Sequence, residues 1–225
     1  SKTQRHNLYH LQPIKFYSSN QVLHLDPFSK RNLELTETLR QNQKSGSLLW
    51  LLDKCQTAMG SRKLHTWIDR PLIDRNEIIK RHNYVEALIN NYVAKEEIKE
   101  SLKTVYDLER IIGRISVGNA NAKDLVQLRR SLANIPNFKK NVMALGTDDA
   151  ISFANGIDTH EKLYDLLDKA LVDDPPLQIK EGGMIKPLYN KDLDELKEIS
   201  GSSKDWILKF EAQERERTGI KTMHV

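Results

Sequence analysis

The sequence predicts a mainly α protein: a multi-helix core bundle with a long projecting coiled-coil-like helix and a few short strands. Three observations carry that prediction. Glycine and proline are scarce, 10 and 7 of 225 residues, below the roughly 12% of average usage, so little interrupts a helix. Apolar residues recur at helical spacing behind good N-cap residues, most clearly after Asp74, Asp107 and Asn121. Hydrophobic residues make up 39% and charged residues 29%, which allows a buried core under a charged surface and excludes a disordered tail or a disulfide miniprotein.

Taken in order, residues 1–20 are basic, lack any acid and space Leu8, Leu11 and Ile14 ahead of Phe16-Tyr17, as in a short helix or linker tail. Gln21–Phe28 carries Val22, Leu23 and Leu25 and is stopped by Asp26-Pro27, which predicts a brief extended segment. Arg31–Leu39, with Leu33, Leu35 and Leu39, starts a helix or packed turn. The run Leu48-Leu49-Trp50-Leu51-Leu52 is apolar enough to be placed in the core. Thr57–Ile68 puts Met59, Leu64, Trp67 and Ile68 on one side of a helix that ends at Arg70-Pro71.

Asp74 caps a helix with Ile78, Ile79, Val85, Leu88 and Ile89 inward. Asp107 begins another with Leu108, Ile111, Ile112 and Ile115, ending near Gly118. Asn121 caps a long one with Leu125, Leu128, Leu132 and Ile135, predicted to break at Pro136 and resume through Val142 and Leu145. Glu161–Leu171 is amphipathic and is closed by Asp173-Asp174-Pro175-Pro176. Gly182-Gly183 is the clearest turn or hinge.

The last predicted helix, from about Asn190 to Thr218, differs from the rest. Leu196, Ile199, Trp206 and Phe210, with Ser203 between, follow a 3-4-3-4 spacing, the a and d seam of a coiled coil. Such a helix is about 42 Å long at 1.5 Å per residue. It would leave a domain and pair along one seam. Lys221–Val225 reads as an extended run in need of a neighbouring strand. With Ser1 in place of a Met, the whole reads as a piece of a longer protein.

The single Cys55 makes no internal disulfide and, following an apolar run, is predicted buried. The cysteine usage and the lack of a long apolar run predict a soluble intracellular protein. The net charge of +4 is uneven: residues 1–63 hold ten Lys/Arg against four acids. That permits contact with nucleic acid without demanding it. Lys30, Arg31, Arg40, Lys44, Arg62 and Lys63 could form a basic patch, but Trp50 and Trp67 are placed in the core, so a solvated face is the favoured reading.

Gly113 to Gly118 has the glycine spacing of a phosphate loop, yet Asn119-Ala120 stand where Lys and Ser/Thr are required, so it reads as a helix end. His6 and His10 form a surface pair, and Asp148-Asp149 and Asp173-Asp174 suit helix starts and turns better than a metal. No catalytic, cofactor-binding or metal-ligating residue is assigned, and no residue is singled out as DNA-binding.

A specific resemblance emerges from longer runs. Arg31-Asn-Leu-Glu-Leu35, Gly46-Ser-Leu-Leu-Trp-Leu-Leu-Asp53, Thr57-Ala-Met-Gly-Ser-Arg62 and Trp67-Ile-Asp-Arg-Pro-Leu72 resemble the core of the MutS family of DNA mismatch-repair proteins. Asp107-Leu-Glu-Arg110 with Gly113-Arg114, Asn119-Ala-Asn-Ala-Lys-Asp124, Glu181-Gly-Gly-Met-Ile185 and Arg215-Glu-Arg-Thr-Gly219 are similar to the same core.

The resemblance implies a coupling piece: a helical lever between DNA-reading parts and a C-terminal ATPase, with a long helix running out to a β clamp. Residues 1–20 would end the preceding connector, 21–189 form the core or lever, and 190–225 supply the outgoing helix and the first clamp strand. The five Phe (16, 28, 138, 153 and 210) all lack the Glu two places on that the family's mismatch wedge requires. The fragment itself is therefore expected to be no enzyme and to need no cofactor, with ATP and Mg serving the ATPase domain of the parent. Expected partners are mismatched duplex DNA through the parent, a second parent copy in a homodimer, and other mismatch-repair proteins, with no membrane; the expected location is the bacterial cytoplasm, at the nucleoid during action. The competing readings are a helical module that binds duplex DNA directly and without sequence preference, and a MutS-like relative acting in recombination.

Overall fold

The computed structural model describes residues 22–201 and 203–219, with the side chains at 198–209 excepted. The readings of residues 1–20, including His6 and His10, and of Lys221–Val225 lie outside these. So do the side chains of Ile199, Ser203 and Trp206 in the predicted seam.

Val22 forms an antiparallel bridge to Leu72, and the Leu23 N–H donates to the Pro71 carbonyl at 2.8 Å. Helix α1 (Pro27–Asn32) follows at once. The sequence placed a helix or turn from Arg31; the structure starts the helix four residues earlier. Pro27 sits in the first turn, where no N–H is needed, and the Asp26 carboxylate accepts from the N–H groups of Phe28 and Ser29. Residues 33–47 then turn back. The Glu34 and Leu35 carbonyls receive the N–H groups of Leu48 and Leu49 at 3.0 and 2.9 Å, which seats α2 (Leu48–Leu52) against this turn.

Helix α3 (Ala58–Asp69) starts at Thr57, whose hydroxyl accepts from the Gly60 N–H at 3.0 Å. Helix α4 (Arg75–Asn90) starts at Asp74, which accepts from the N–H groups of Asn76 and Glu77 at 2.7 and 3.2 Å. Helix α5 (Tyr92–Lys103) has no counterpart in the sequence reading. It follows α4 after the single residue Asn91 and has no side-chain cap of its own, so neither a cap nor a breaker announces it. Helix α6 (Leu108–Val117) is capped by Asp107 and ends at Gly118, which takes the left-handed φ of 78° that other residues resist.

Helix α7 (Ala122–Met143) opens with a reciprocal capping box. The Asp124 N–H donates to Asn121 Oδ1 at 2.8 Å and the Asn121 N–H to Asp124 Oδ2 at 3.1 Å. The predicted break at Pro136 does not occur, and α7 runs through it. Pro136 lies on the exposed side, where the ring meets water, while packing on both sides of it holds the axis.

Thr147 caps α8 (Asp148–Asn155), and α9 (Glu161–Ala170) follows. Leu171 then bridges Ile185 antiparallel around the turn at Gly182-Gly183, both glycines at φ 70°. The few short strands of the prediction thus reduce, among the described residues, to the Val22–Leu72 and Leu171–Ile185 bridges. Helices α10 (Lys191–Gly201) and α11 (Ser203–Thr218) occupy the range predicted for the long arm. Leu196 and Phe210, the two seam residues with described side chains, are both exposed.

Helix α7 is the spine. Its N-terminal half packs against α6 and α9 in a core of Ile111, Val126, Leu128, Leu132, Leu167 and Leu171, with Ile135 at its margin. Its C-terminal half packs against α5 and α8, on both of which α4 packs in turn, in a second core of Ala87, Ala94, Val142, Leu145, Ala150 and Ala154, with Phe138 at its margin. Pro136 falls between the two. Several residues placed inside by the sequence lie elsewhere. Of Leu48–Leu52 only Leu49 is buried; Trp50 is 49% and Leu51 60% exposed, because one and a half turns can present just one face inward. Trp67, Ile79, Val85, Ile89, Ile112 and Ile115 are also exposed, and on α4 the inward position falls to Ala87.

Candidate functional site

The densest chemistry in this chain consists of arginine–carboxylate braces between helices. Arg62 projects from α3 and grips the start of α6: its two terminal nitrogens donate to Asp107 Oδ2 and Oδ1 at 2.8 and 2.7 Å, and Nε donates to Glu109 Oε2 at 3.0 Å. Such a forked contact fixes orientation as well as distance. Asp107 caps α6 at the same time, accepting from the Arg110 N–H.

On α6, Arg114 donates to both oxygens of Asp124 at 3.0 and 2.6 Å, which locks α6 to the start of α7. Burial works against the Asp124 charge, but Arg114 and the Asn121 N–H outweigh it and hold the carboxyl below its usual range. Arg129, 6% exposed on α7, donates to Asp173 at 2.6 Å, Asp168 at 3.3 Å and the Leu171 carbonyl at 3.2 Å. A buried guanidinium needs such partners, since an unpaired one would cost several kcal/mol, roughly 3–5.

These braces give the fold an acid dependence. Hydrogen bonds from Arg62 hold the Asp107 carboxyl down to about 2, and those from Lys44 and then Ser61 do the same for Asp53, also to about 2. Both groups bind protons more tightly unfolded, so their stabilisation is complete above the ordinary carboxylate range and drains away as pH falls from about 4 toward 2. Asp107→Asn keeps a capping side chain but loses the charge. It is expected to lower the melting temperature at neutral pH and to flatten the decline between about pH 4 and 2; thermal melts across that range check it.

Half of the candidate basic patch is spoken for. Lys30 pairs with Asp69 at 2.5 Å, Lys44 with Asp53 at 2.6 Å, and Arg62 with Asp107 and Glu109. The remaining members, Arg31, Arg40 and Lys63, form no ion pair among the described residues. Cys55 is exposed, not buried as predicted, because α2 ends before it and Lys54–Gln56 run over the surface. Partial burial of the thiol and the neighbouring Asp53 charge push its pKa up, which disfavours the thiolate a nucleophile needs.

Gly113 lies inside α6 and Gly118 ends it, so the run that mimics a phosphate loop is helical and offers no cradle of free N–H groups. Asp148 and Asp149 occupy the first turn of α8, and Asp173 serves Arg129. Among the described residues no group of three His, Cys, Asp or Glu could hold a metal ion, and no helix is long and apolar enough to cross a membrane. What the sequence reading missed is the pairing of the braces. Asp107 and Asp173 are visible as a helix start and a turn residue, but nothing local points to partners 45 residues away, as for Arg62 and Asp107.

Comparison with known proteins agrees with the resemblance. The family described as MutS domain III matches residues 29–221. The chain is 49% identical over 224 residues to the DNA mismatch repair protein MutS of Bacillus subtilis (strain 168), and 50% to that of Bacillus velezensis. It is 46% identical to the MutS of Halalkalibacterium halodurans. Each alignment covers 100% of this chain and 26% of the relative, so the chain spans about a quarter of the length of the curated relatives it matches. With its capped helices, its α7 spine and these matches, the chain belongs to the MutS family, as its domain III.

Proposed function

We propose that this chain is the non-catalytic lever of a longer mismatch-repair protein, coupling DNA contact at one end to a nucleotide-driven ATPase at the other. The observation that carries this reading is α7, which joins two separate apolar cores and is tied to its neighbours by the Arg114 and Arg129 braces. Packed helices braced in this way move as a body, so a small rotation at one end becomes a displacement at the other. Residues 1–20 then end a connector, 21–189 are the lever, and 190–225 begin the clamp. ATP and Mg belong to a domain of the parent. The parent works as a homodimer on mismatched duplex in the bacterial cytoplasm, with other repair proteins.

Direct binding of duplex DNA by this chain is the weaker reading, because three of the six cations of its candidate patch, Lys30, Lys44 and Arg62, already hold carboxylates, which leaves fewer charges there to displace counterions. The test is an uncoupling insertion. A flexible Gly-Ser segment placed after Gly201 in the full-length parent is expected to leave basal ATP hydrolysis intact and to abolish its response to mismatched DNA. An unchanged response overturns the lever reading, as does micromolar ATP binding by residues 1–225 alone.

A further inference from the structure

A cleft between α3, α4 and α8 takes no part in the lever argument. Its volume is about 390 Å³, and it is lined by Lys63, Trp67, Glu77, Lys80, Arg81, Tyr84 and Phe153. Helical spacing builds it. Lys63 and Trp67 stand one turn apart on α3, and Glu77, Lys80, Arg81 and Tyr84 follow the i, i+3, i+4, i+7 face of α4. Helix α8 contributes Phe153, whose ring meets Tyr84 edge to face at 6.1 Å.

Two features meet in this cleft. First, it keeps aromatic area open to water: Trp67 is 39% and Phe153 51% exposed. Second, its three cations outnumber its one carboxylate, Glu77, which favours the Arg81 charge from one turn away on the same helix. Lys30, Lys44, Arg62, Arg114 and Arg129 each hold a carboxylate, whereas Lys63, Lys80 and Arg81 form no ion pair among the described residues. Arg81 instead lies over the Trp67 ring, 3.7 Å from its centre.

We propose that this cleft docks a short acidic segment of a partner protein through one or two large apolar side chains. The apolar floor takes the anchor, and Lys63, Lys80 and Arg81 meet the flanking carboxylates. The volume sits at the low end of the roughly 300–1,000 Å³ of ligand clefts, suited to a pair of side chains and too small for a whole helix. Stacked nucleic-acid bases fit less well. One face of Trp67 is covered by Arg81, Tyr84 and Phe153 meet edge to face, and the Tyr84 hydroxyl is spent on the Asp149 carbonyl at 3.1 Å, so the rings do not form the open platform that bases need. This inference stands independently of the lever reading.

The test is fluorescence anisotropy on the full-length parent with a labelled peptide of Asp and Glu around a central Leu-Phe pair. The same peptide with Ala for Leu-Phe, a Lys-for-acid version and oligothymidylate serve as the other arms. Binding is expected for the acidic Leu-Phe peptide and to weaken with salt. The Lys63→Glu, Lys80→Glu double variant is expected to reduce it about tenfold or more, and Phe153→Ser to reduce it without changing the salt dependence. Lys162→Glu, on α9, is expected to leave it unchanged. Circular dichroism confirms that each variant is folded, and the milder Lys63→Gln, Lys80→Gln pair should give an intermediate loss. Failure of the peptide to bind, binding indifferent to these variants or to the Leu-Phe pair, or displacement of the peptide by oligothymidylate overturns the proposal.

Discussion

Replacing Ile111 with Ala should destabilise the protein by about 2–5 kcal/mol, the range for removing a buried aliphatic side chain. Ile111 is 1% exposed and belongs to the core that α6 shares with Val126, Leu128, Leu132, Leu167 and Leu171. Its neighbours cannot collapse into the space. Helix α6 is held at its start by the Arg62–Asp107 fork and near its end by the Arg114–Asp124 pair, and α7 is fixed by its own capping box. A cavity should therefore persist and the cost should fall in the upper half of the range. Ile112→Ala, next in sequence but 55% exposed, should change stability by about 0.5 kcal/mol or less. Urea titration of both variants checks the contrast, and equal losses would contradict the burial described here.

Pro136→Ala should act in the opposite direction. Proline in a helix interior is about 3 kcal/mol less favourable than alanine, since it lacks the N–H that would reach the carbonyl four residues back and its ring crowds that carbonyl. At Pro136 the missing bond is to Leu132, itself buried in the first core. The side chain is exposed, so alanine removes no packing. A gain of about 1–3 kcal/mol is expected, below the full difference because the surrounding helix has already adjusted to the ring. Pro136 lies between Ile135 of one core and Phe138 of the other, so the same change should stiffen the joint between them. In the full-length parent, a more stable Pro136→Ala protein with altered coupling of DNA to ATP hydrolysis would support α7 as the transmitting element.

Helix starts were legible because capping is local chemistry. Asp74, Asp107 and Asn121 each accept the N–H groups expected of them, all within three residues. The end of α6 at Gly118 was legible for the same reason. Helix α5 was not, because it begins after Asn91 without a side-chain cap and continues the α4 pattern with one residue between. Pro136 misled for a physical reason: the penalty for proline in a helix is smaller than the tertiary packing of Leu132 and Ile135 before it and Phe138 and Val142 after it. Leu48–Leu52 misled in another way. A run of apolar residues states that cover is favourable without saying which face receives it, and in the described structure Leu49 alone is buried.

The sequence by itself determined where most helices begin, that the chain is mainly α, and through ordered motifs its place in the MutS family, since each rests on residues close together in the chain. The tertiary structure decided which charges are spent and which are free. Arg62 meets Asp107 across 45 residues and Arg129 meets Asp173 across 44, while Lys63, beside Arg62 in sequence, turns to a different face and forms no ion pair among the described residues. Adjacent residues on a helix point about 100° apart, so their partners depend on which helix packs against which face, and no local pattern in the chain records that.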